Sequence, residues 1–289
     1  MARDRRSERV DMRRWEAGES SRAQDWLAVE EPLEIVVEHG GSSIPLLTTM
    51  RTPGADAELA VGLLHAERIV RIRDDILSVD HTSDPRMPRD NRDNRIVVRL
   101  HPDCAPPDMG QRRSFVSSSA CGVCGRSVVE DLTAELRPLA TEHRVEADVL
   151  NSIGSRLREE QSTFHRTGGI HATGLFDLNG ELTLRREDIG RHNATDAVIG
   201  ASLLAGRVPL DRHVVLVTGR AGYEIVQKCW VAGVTVLAAI GAPSSLAVDM
   251  ALEAEMTLVG FLRDGRFNVY SAPERVGHVG RPTRSTPDG

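Results

Sequence analysis

The chain has 289 residues, 40% of them hydrophobic, and a formal net charge of −6, which allows one large domain or two modest ones around a sizeable core. The acidic balance argues against a general nucleic-acid binder, whose phosphate contacts need a basic surface, and no apolar run approaches the roughly 20 residues of a membrane helix. The charged first fourteen residues lack the apolar stretch of a secretion signal, so the expected location is cytoplasmic.

Residues 1–26, rich in Arg, Glu and Ser, read as a mobile N-terminal tail. The string Leu-Glu-Ile-Val-Val-Glu over 33–38 predicts a strand, with Gly40-Gly41 as a turn and 44–49 as its hairpin partner. Pro53 opens a helix that places Leu59, Leu63 and Ala66 on one face, with Asp56 and Glu58 in its early turns, where carboxylates suit the dipole. A strand over 76–79, an exposed polar loop over 81–95 and a strand over 96–100 follow. The Pro-rich stretch 101–108 is the expected boundary, giving a small α+β domain over 27–112 and an α/β domain over 113–275, with a C-terminal tail over 276–289.

Past that boundary, Ser119-Ala120-Cys121-Gly122-Val123-Cys124-Gly125 sets two thiols on a glycine-flanked loop. Val128, Val129, Leu132, Leu136 and Leu139 recur at three- and four-residue spacing, so a helix is expected to begin near Arg126. Its amino end and Arg126 would favour a thiolate at Cys121 or Cys124 and lower the pKa below about 8.5. A helix over 147–164 turns Leu150, Ile153, Leu157 and Phe164 inward. Asn179-Gly180 marks a two-residue hairpin turn between strands 174–178 and 181–185.

A helix over 191–204 leads into alternating strands (213–218, 234–240, 258–262) and helices (223–232, 245–256). That alternation implies a mixed, mainly parallel sheet covered by helices. Ligands sit at the carboxyl ends of such strands, which singles out Thr218-Gly219-Arg220 and the loop 241–245, where Ser244 or Ser245 also suits a helix cap.

Four cysteines, Cys104, Cys121, Cys124 and Cys229, do not form a secreted disulfide framework. Burial suffices for Cys229. The Cys121/Cys124 pair fits three chemistries: a structural zinc site completed by distant His165, His171 or His192, a thioredoxin-like redox couple, or a nucleophilic sulfur carrier. His171, between small residues, either meets a ligand or is a hydrogen-bonded core histidine. Glu187, Asp188, Arg191 and His192 form a polar cluster that also reads as a solvated helix cap. In Phe261-Leu262-Arg263-Asp264-Gly265-Arg266 two arginines flank a turn; guanidinium groups suit phosphates, and a plain hairpin explains the same residues. Lys228 is the only lysine, so there is no Gly-Lys-Ser/Thr phosphate loop and one Schiff-base candidate.

Several segments together resemble the formate dehydrogenase accessory sulfurtransferases, the FdhD family. They are Met50-Arg51-Thr52-Pro53-Gly54 with Glu58-Leu59-Ala60, the Ser119 to Gly125 loop, Thr167-Gly168-Gly169-Ile170-His171-Ala172, Arg186-Glu187-Asp188-Ile189-Gly190-Arg191-His192-Asn193-Ala194, and Thr218-Gly219-Arg220. The resemblance implies a cytoplasmic, homodimeric sulfurtransferase that accepts persulfide sulfur from a cysteine desulfurase on Cys121. It would deliver the sulfur to the molybdenum cofactor, bis-molybdopterin guanine dinucleotide, for formate dehydrogenase. Cys124 matches a second cysteine of the motif. Phe261, Leu262, Arg263, Asp264, Gly265 and Arg266 match the stretch described as binding that cofactor, and no tightly held metal is expected. The larger domain would resemble the cytidine deaminase fold. Two other readings remain: a zinc-dependent deaminase-like hydrolase using His171, Cys121 and Cys124 as ligands and Glu187 as proton shuttle, and a non-catalytic molybdenum cofactor chaperone.

Overall fold

The computed structural model describes residues 5–85, 87–104 and 136–277. The stretch read as a mobile tail is instead a hairpin for most of its length. Strand β1 (Ser7–Glu16) pairs antiparallel with β2 (Glu19–Ala28) in unbroken register from Ser7 opposite Ala28 to Glu16 opposite Glu19. Its turn, Ala17-Gly18, has positive φ at both residues, as tight hairpin turns require. The base is tied down: Arg6 Nη2 donates to the Glu187 carbonyl at 2.7 Å and the Arg166 guanidinium lies 5.2 Å from the Trp26 ring centre. Sparse apolar residues hid this ribbon, because its ladder needs little core.

A four-stranded sheet comes next, in the order β4 (Ser42–Arg51), β3 (Glu31–His39), β6 (Arg95–Leu100), β5 (Ile76–His81). Leu33, Ile35 and Val37 alternate onto its inner face and are fully buried, as the period of two demands. The polar loop before β6 contains one helical turn, α2 (Arg89–Arg92). Helix α1 (Asp56–Ala66) covers the inner face. Leu59 and Ala66 are buried as expected and Leu63 partly so; Ala60, Val61 and Leu64 are buried too, because the helix is covered on a second side by another helix.

Residues 136–144 are irregular. Leu136 and Leu139 pack on the core, yet neither is in a helix as expected, since Pro138 between them can neither donate nor avoid the preceding carbonyl. Strand β7 (Val145–Glu146) leads into α3 (Ala147–Glu160) and α4 (Ser162–Thr167). The single helix expected over 147–164 breaks at Gln161, where Glu187 accepts hydrogen bonds from the backbone N–H groups of Thr163 (3.2 Å) and Phe164 (2.9 Å) and starts a new helix.

The remaining elements are β8 (His171–Asp177), β9 (Leu182–Asp188), α5 (Arg191–Leu204), β10 (His213–Val217), α6 (Tyr223–Val231), β11 (Val236–Ala239), α7 (Ser245–Glu253), β12 (Thr257–Arg263), β13 (Arg266–Ser271) and β14 (Val276–Gly277). Strand β14 pairs with β7, so residues 276–277 are not tail. Six strands form one sheet in the order β13-β12-β11-β10-β8-β9. It is mixed, but not mainly parallel: only β10–β11 and β11–β12 run parallel, while the hairpins at Asn179-Gly180 and Asp264-Gly265 and the β8–β10 pairing are antiparallel. Leu150, Ile153 and Leu157 of α3 cover one face. Helices α5, α6 and α7 cover the other.

Helix α5 also faces α1, and the two backbones touch. A Cβ on Gly62 would lie 1.8 Å from the Asp196 carbonyl oxygen, and one on Gly200 would lie 1.9 Å from that of Glu58. Ala197 and Leu203 of α5 join the core of the four-stranded sheet. The two sheets are thereby joined through this helix pair. Among the described helices, none is long and apolar enough to cross a membrane.

Candidate functional site

Because β8 runs antiparallel to β10, His171 at its start shares a sheet edge with the carboxyl ends of β10, β11 and β12. Backbone bonds run along this edge. Thr218 N–H donates to the Ala172 carbonyl (3.0 Å) and Ala172 N–H to Thr218 Oγ1 (2.9 Å); Gly241 N–H donates to Gly219 (2.9 Å) and Phe261 N–H to Gly241 (3.0 Å). Gly241 must lack a side chain, since its Cβ would sit 2.8 Å from the Gly219 oxygen. Ser244 Oγ accepts from Ala247 N–H, so this serine of the loop is a helix cap.

At one end of the edge, the ladder between β12 and β13 is irregular between Gly260 and Arg263. There Phe261 takes φ = 53° with its side chain exposed. A bulky residue in the left-handed region stores on the order of 1–3 kcal/mol of strain, and such strain clusters at functional sites. Leu262 is buried in the core. Arg263 Nη1 donates to the carbonyls of Ile240 and Leu262, both at 2.7 Å. Asp264, Gly265 and Arg266 stand in solvent. The six residues therefore form a hairpin that also presents an aromatic ring and, at Arg266, a guanidinium that no described residue pairs with.

At the other end a cleft of about 460 Å³ opens between α3, α4 and the strand ends, lined by Leu157, Phe164, Ile170, His171, Thr218 and Ile240 among others. Arg158 stacks 4.7 Å over the Phe164 ring on its wall. Burial, with the positive charges of Arg191 and His192, holds His171 below the usual imidazole pKa, so it is neutral at pH 7. The loop at Gly219 lies against this corner: a Cβ there would be 3.1 Å from Arg191 Cδ and 3.6 Å from His171 Cε1. His192 Nε2 pairs with Glu224 at 2.9 Å; the hydrogen bond from His192 holds the Glu224 carboxyl low, at about 2.

The two acids of the cluster read as a solvated cap are buried instead, while Arg191 and His192 are half-buried. Glu187 and Asp188 are only 2% and 5% exposed. Besides Glu187 at the start of α4, Asp188 accepts hydrogen bonds from Thr52 N–H (3.0 Å), Gly190 N–H (2.8 Å) and Asn193 Nδ2 (2.9 Å). Burial still pushes its pKa up to about 6. Asn193 Nδ2 also donates to the Met50 carbonyl, and Arg186 pairs with Glu58. Arg51, fully buried, pairs with Asp56 at 2.8 Å. The segments around Met50 and Arg186 thus lock the two sheets together. Sequence reasoning treated them separately, since 128 residues separate Arg186 from Glu58.

Lys228 binds Asp196 at 2.7 and 2.8 Å; burial raises the Asp196 pKa even with this cation beside it. The lysine is committed to that pair. Cys229 is fully buried and pushed up to about 12 by desolvation, as its structural reading requires. Cys121 and Cys124, with the helix expected from Arg126, lie outside the described residues, as does the boundary placed at residue 112.

Residues 28–277 match the model of the FdhD/NarQ family. The sulfur carrier protein FdhD of Streptomyces avermitilis is 42% identical over 273 residues, covering 93% of this chain and 95% of that protein. The protein of the same name from Nocardia farcinica is 45% identical over 271 residues, covering 93% and 94%. The crystal structure of a protein of Desulfotalea psychrophila assigned as a formate dehydrogenase accessory protein superposes with a TM-score of 0.74 at 25% identity, covering 94% of this chain and all of that one. A match over nearly the whole described fold has one meaning: the chain belongs to the FdhD/NarQ family.

Proposed function

We propose that this protein is a sulfur carrier for formate dehydrogenase maturation, acting through a persulfide on Cys121. The Cys121 thiolate attacks the terminal sulfur of a cysteine desulfurase persulfide; a new S–S bond forms on Cys121 as the donor's S–S bond breaks, and the donor leaves as a thiolate. The exchange needs no external oxidant or reductant. Cys124 stands by as a second thiol. The sulfur is destined for bis-molybdopterin guanine dinucleotide held at Phe261–Arg266. In this reading the chain is cytoplasmic and homodimeric, and divides near residue 112 into a small α+β domain and a cytidine deaminase-like domain.

The observation that carries the reading is the strand-end edge in a chain whose relatives are named sulfur carriers. At that edge an exposed aromatic ring is held in a strained conformation on the hairpin that also carries exposed Arg266, a combination that suits a flat anionic ligand. The deaminase-like hydrolase loses its proton shuttle, because both Glu187 oxygens accept backbone bonds. A chaperone that moves no sulfur would use the same edge.

The test is mass spectrometry without reductant after incubating the protein with a cysteine desulfurase and cysteine. One added sulfur on the Cys121 peptide, absent in Cys121→Ser, is the expected result. Cys121→Ser should also abolish formate dehydrogenase activation with an unchanged thermal melt. Activation retained in that variant overturns the carrier and leaves the chaperone.

A further inference from the structure

The Phe261 turn and the His171 corner stand on strands β12 and β8, which are three interstrand spacings apart. At about 4.8 Å per spacing they are separated by roughly 14 Å. Positive charge is left over at the His171 end. Arg191 is half-buried, and its Nε is enclosed without an acceptor among the described residues. Arg220, which follows Gly219, is exposed. Among the described residues no carboxylate pairs with either. The nearby carboxylates are taken: Glu224 by His192 and Tyr223, and Asp196 by Lys228. Arg191 and His192 also occupy the first turn of α5, which holds no acidic residue, where the dipole disfavours cations. A half-buried guanidinium kept against a helix dipole, with an acceptor missing, is stabilised when an anion arrives.

We propose that Arg191 and Arg220 form an anion subsite that takes the diphosphate of an elongated ligand whose other end rests on the Phe261 turn. This rests on the reading of the edge as the cofactor surface and adds a second anchor to it. Neutral His171 lines the cleft behind the subsite as a hydrogen-bonding group without adding charge. A ligand carrying only one of the two ends engages half the edge and binds more weakly.

Calorimetric titration of the full-length protein with inorganic pyrophosphate tests the subsite. The wild type should bind, with affinity falling as salt rises. Arg191→Gln and Arg220→Gln should each weaken binding tenfold or more, which is about 1.4 kcal/mol. Arg266→Gln, at the far end, should change it less than twofold. Arg220 is exposed, so its variant tests the site even if Arg191→Gln folds poorly. Unchanged affinity in Arg191→Gln and Arg220→Gln, absence of binding, or a loss confined to Arg266→Gln overturns the proposal. Sulfur loading of Cys121, measured separately, reports on the carrier: loading without pyrophosphate binding removes only the subsite, and binding without loading removes only the carrier.

Discussion

Replacing Gly200 by alanine tests whether the α1–α5 contact holds the molecule together. The new Cβ would lie 1.9 Å from the Glu58 carbonyl oxygen and 2.6 Å from Gly62 N, whereas real Cβ atoms essentially never come within 3.0 Å of such atoms. The partner is helix backbone and cannot rotate away, so the helices must part by about 1 Å at their closest point, loosening Val61, Leu64, Ala197 and Leu203 together. Overpacking of this kind costs about 1–3 kcal/mol, and loss of close packing along the seam adds to it. The helix propensity gained from Gly→Ala returns only about 1 kcal/mol. A net loss of about 2 kcal/mol corresponds to a melting temperature lower by roughly 3 °C for a chain of this size. Gly154→Ala in α3 is the control: its Cβ would meet only Ile240 Cδ1 at 3.7 Å and Leu262 Cδ2 at 3.9 Å, so propensity dominates and the melt should rise slightly. Differential scanning calorimetry of both variants decides. A Gly200→Ala protein melting at or above wild type would refute the backbone contact as a determinant of stability.

Asp188 gives a pH signature. Its folded pKa, about 6, stands above the ordinary 3.8, so its contribution is fully present below about pH 4 and is lost as pH rises through 6, amounting to about 3 kcal/mol. Chemical denaturation between pH 4 and 7.5 should show this fall in the difference between wild type and Asp188→Asn, since His65, His171 and His213, held low by burial, act in the opposite direction in both proteins; parallel profiles would contradict the assignment. His81, raised by its hydrogen bond to Asp56, shifts stability in the same direction, so the difference between the two proteins isolates Asp188. Lys228→Met should cost about 3–5 kcal/mol by leaving the buried Asp196 carboxyl without its partner, and Asp196→Ala added to it should recover part of that loss. Equal stability of Lys228→Met and wild type in urea would show that the pair is not what keeps the aspartate in place.

Local patterns announced most elements. Helix α5 has the bounds expected from its small and apolar residues after Gly190. The hairpin turns at Asn179-Gly180 as expected, but through a longer loop than two residues: Asp177 N–H donates to the Glu181 carbonyl, only Gly180 of the pair has positive φ, and Asp177 Oδ1 accepts from the N–H groups of Asn179 and Glu181. What escaped notice was set by distant partners. Gln161 breaks a continuous helical pattern because Glu187, in another strand, captures the next two free N–H groups. The N-terminal ribbon holds through its own ladder and through Arg6 and Arg166, neither of which is apolar. At the site, His171 and the Phe261 turn were visible as small-residue and arginine-rich motifs. The weight of Arg191 was not, because it depends on which carboxylates its neighbours have already claimed.

Helix α5 connects these two kinds of information. Its middle, at Gly200, is pressed against α1, and its first turn presents Arg191 and His192 to the strand-end edge. The Asp188 and Asn193 bonds to Thr52 and Met50 fix that first turn from the side of the other sheet. A rigid helix held at both places cannot shift at the seam without moving its cations relative to Gly219 and His171. The segments around Met50 and Arg186, though buried, therefore set the position of the charge that a ligand at the edge would meet. Loosening the seam by Gly200→Ala should accordingly weaken pyrophosphate binding although no anion-contacting residue has changed, while Gly154→Ala should leave it within twofold. If titration finds the Gly200→Ala affinity equal to wild type while its melt falls, the seam stabilises the fold without positioning the edge.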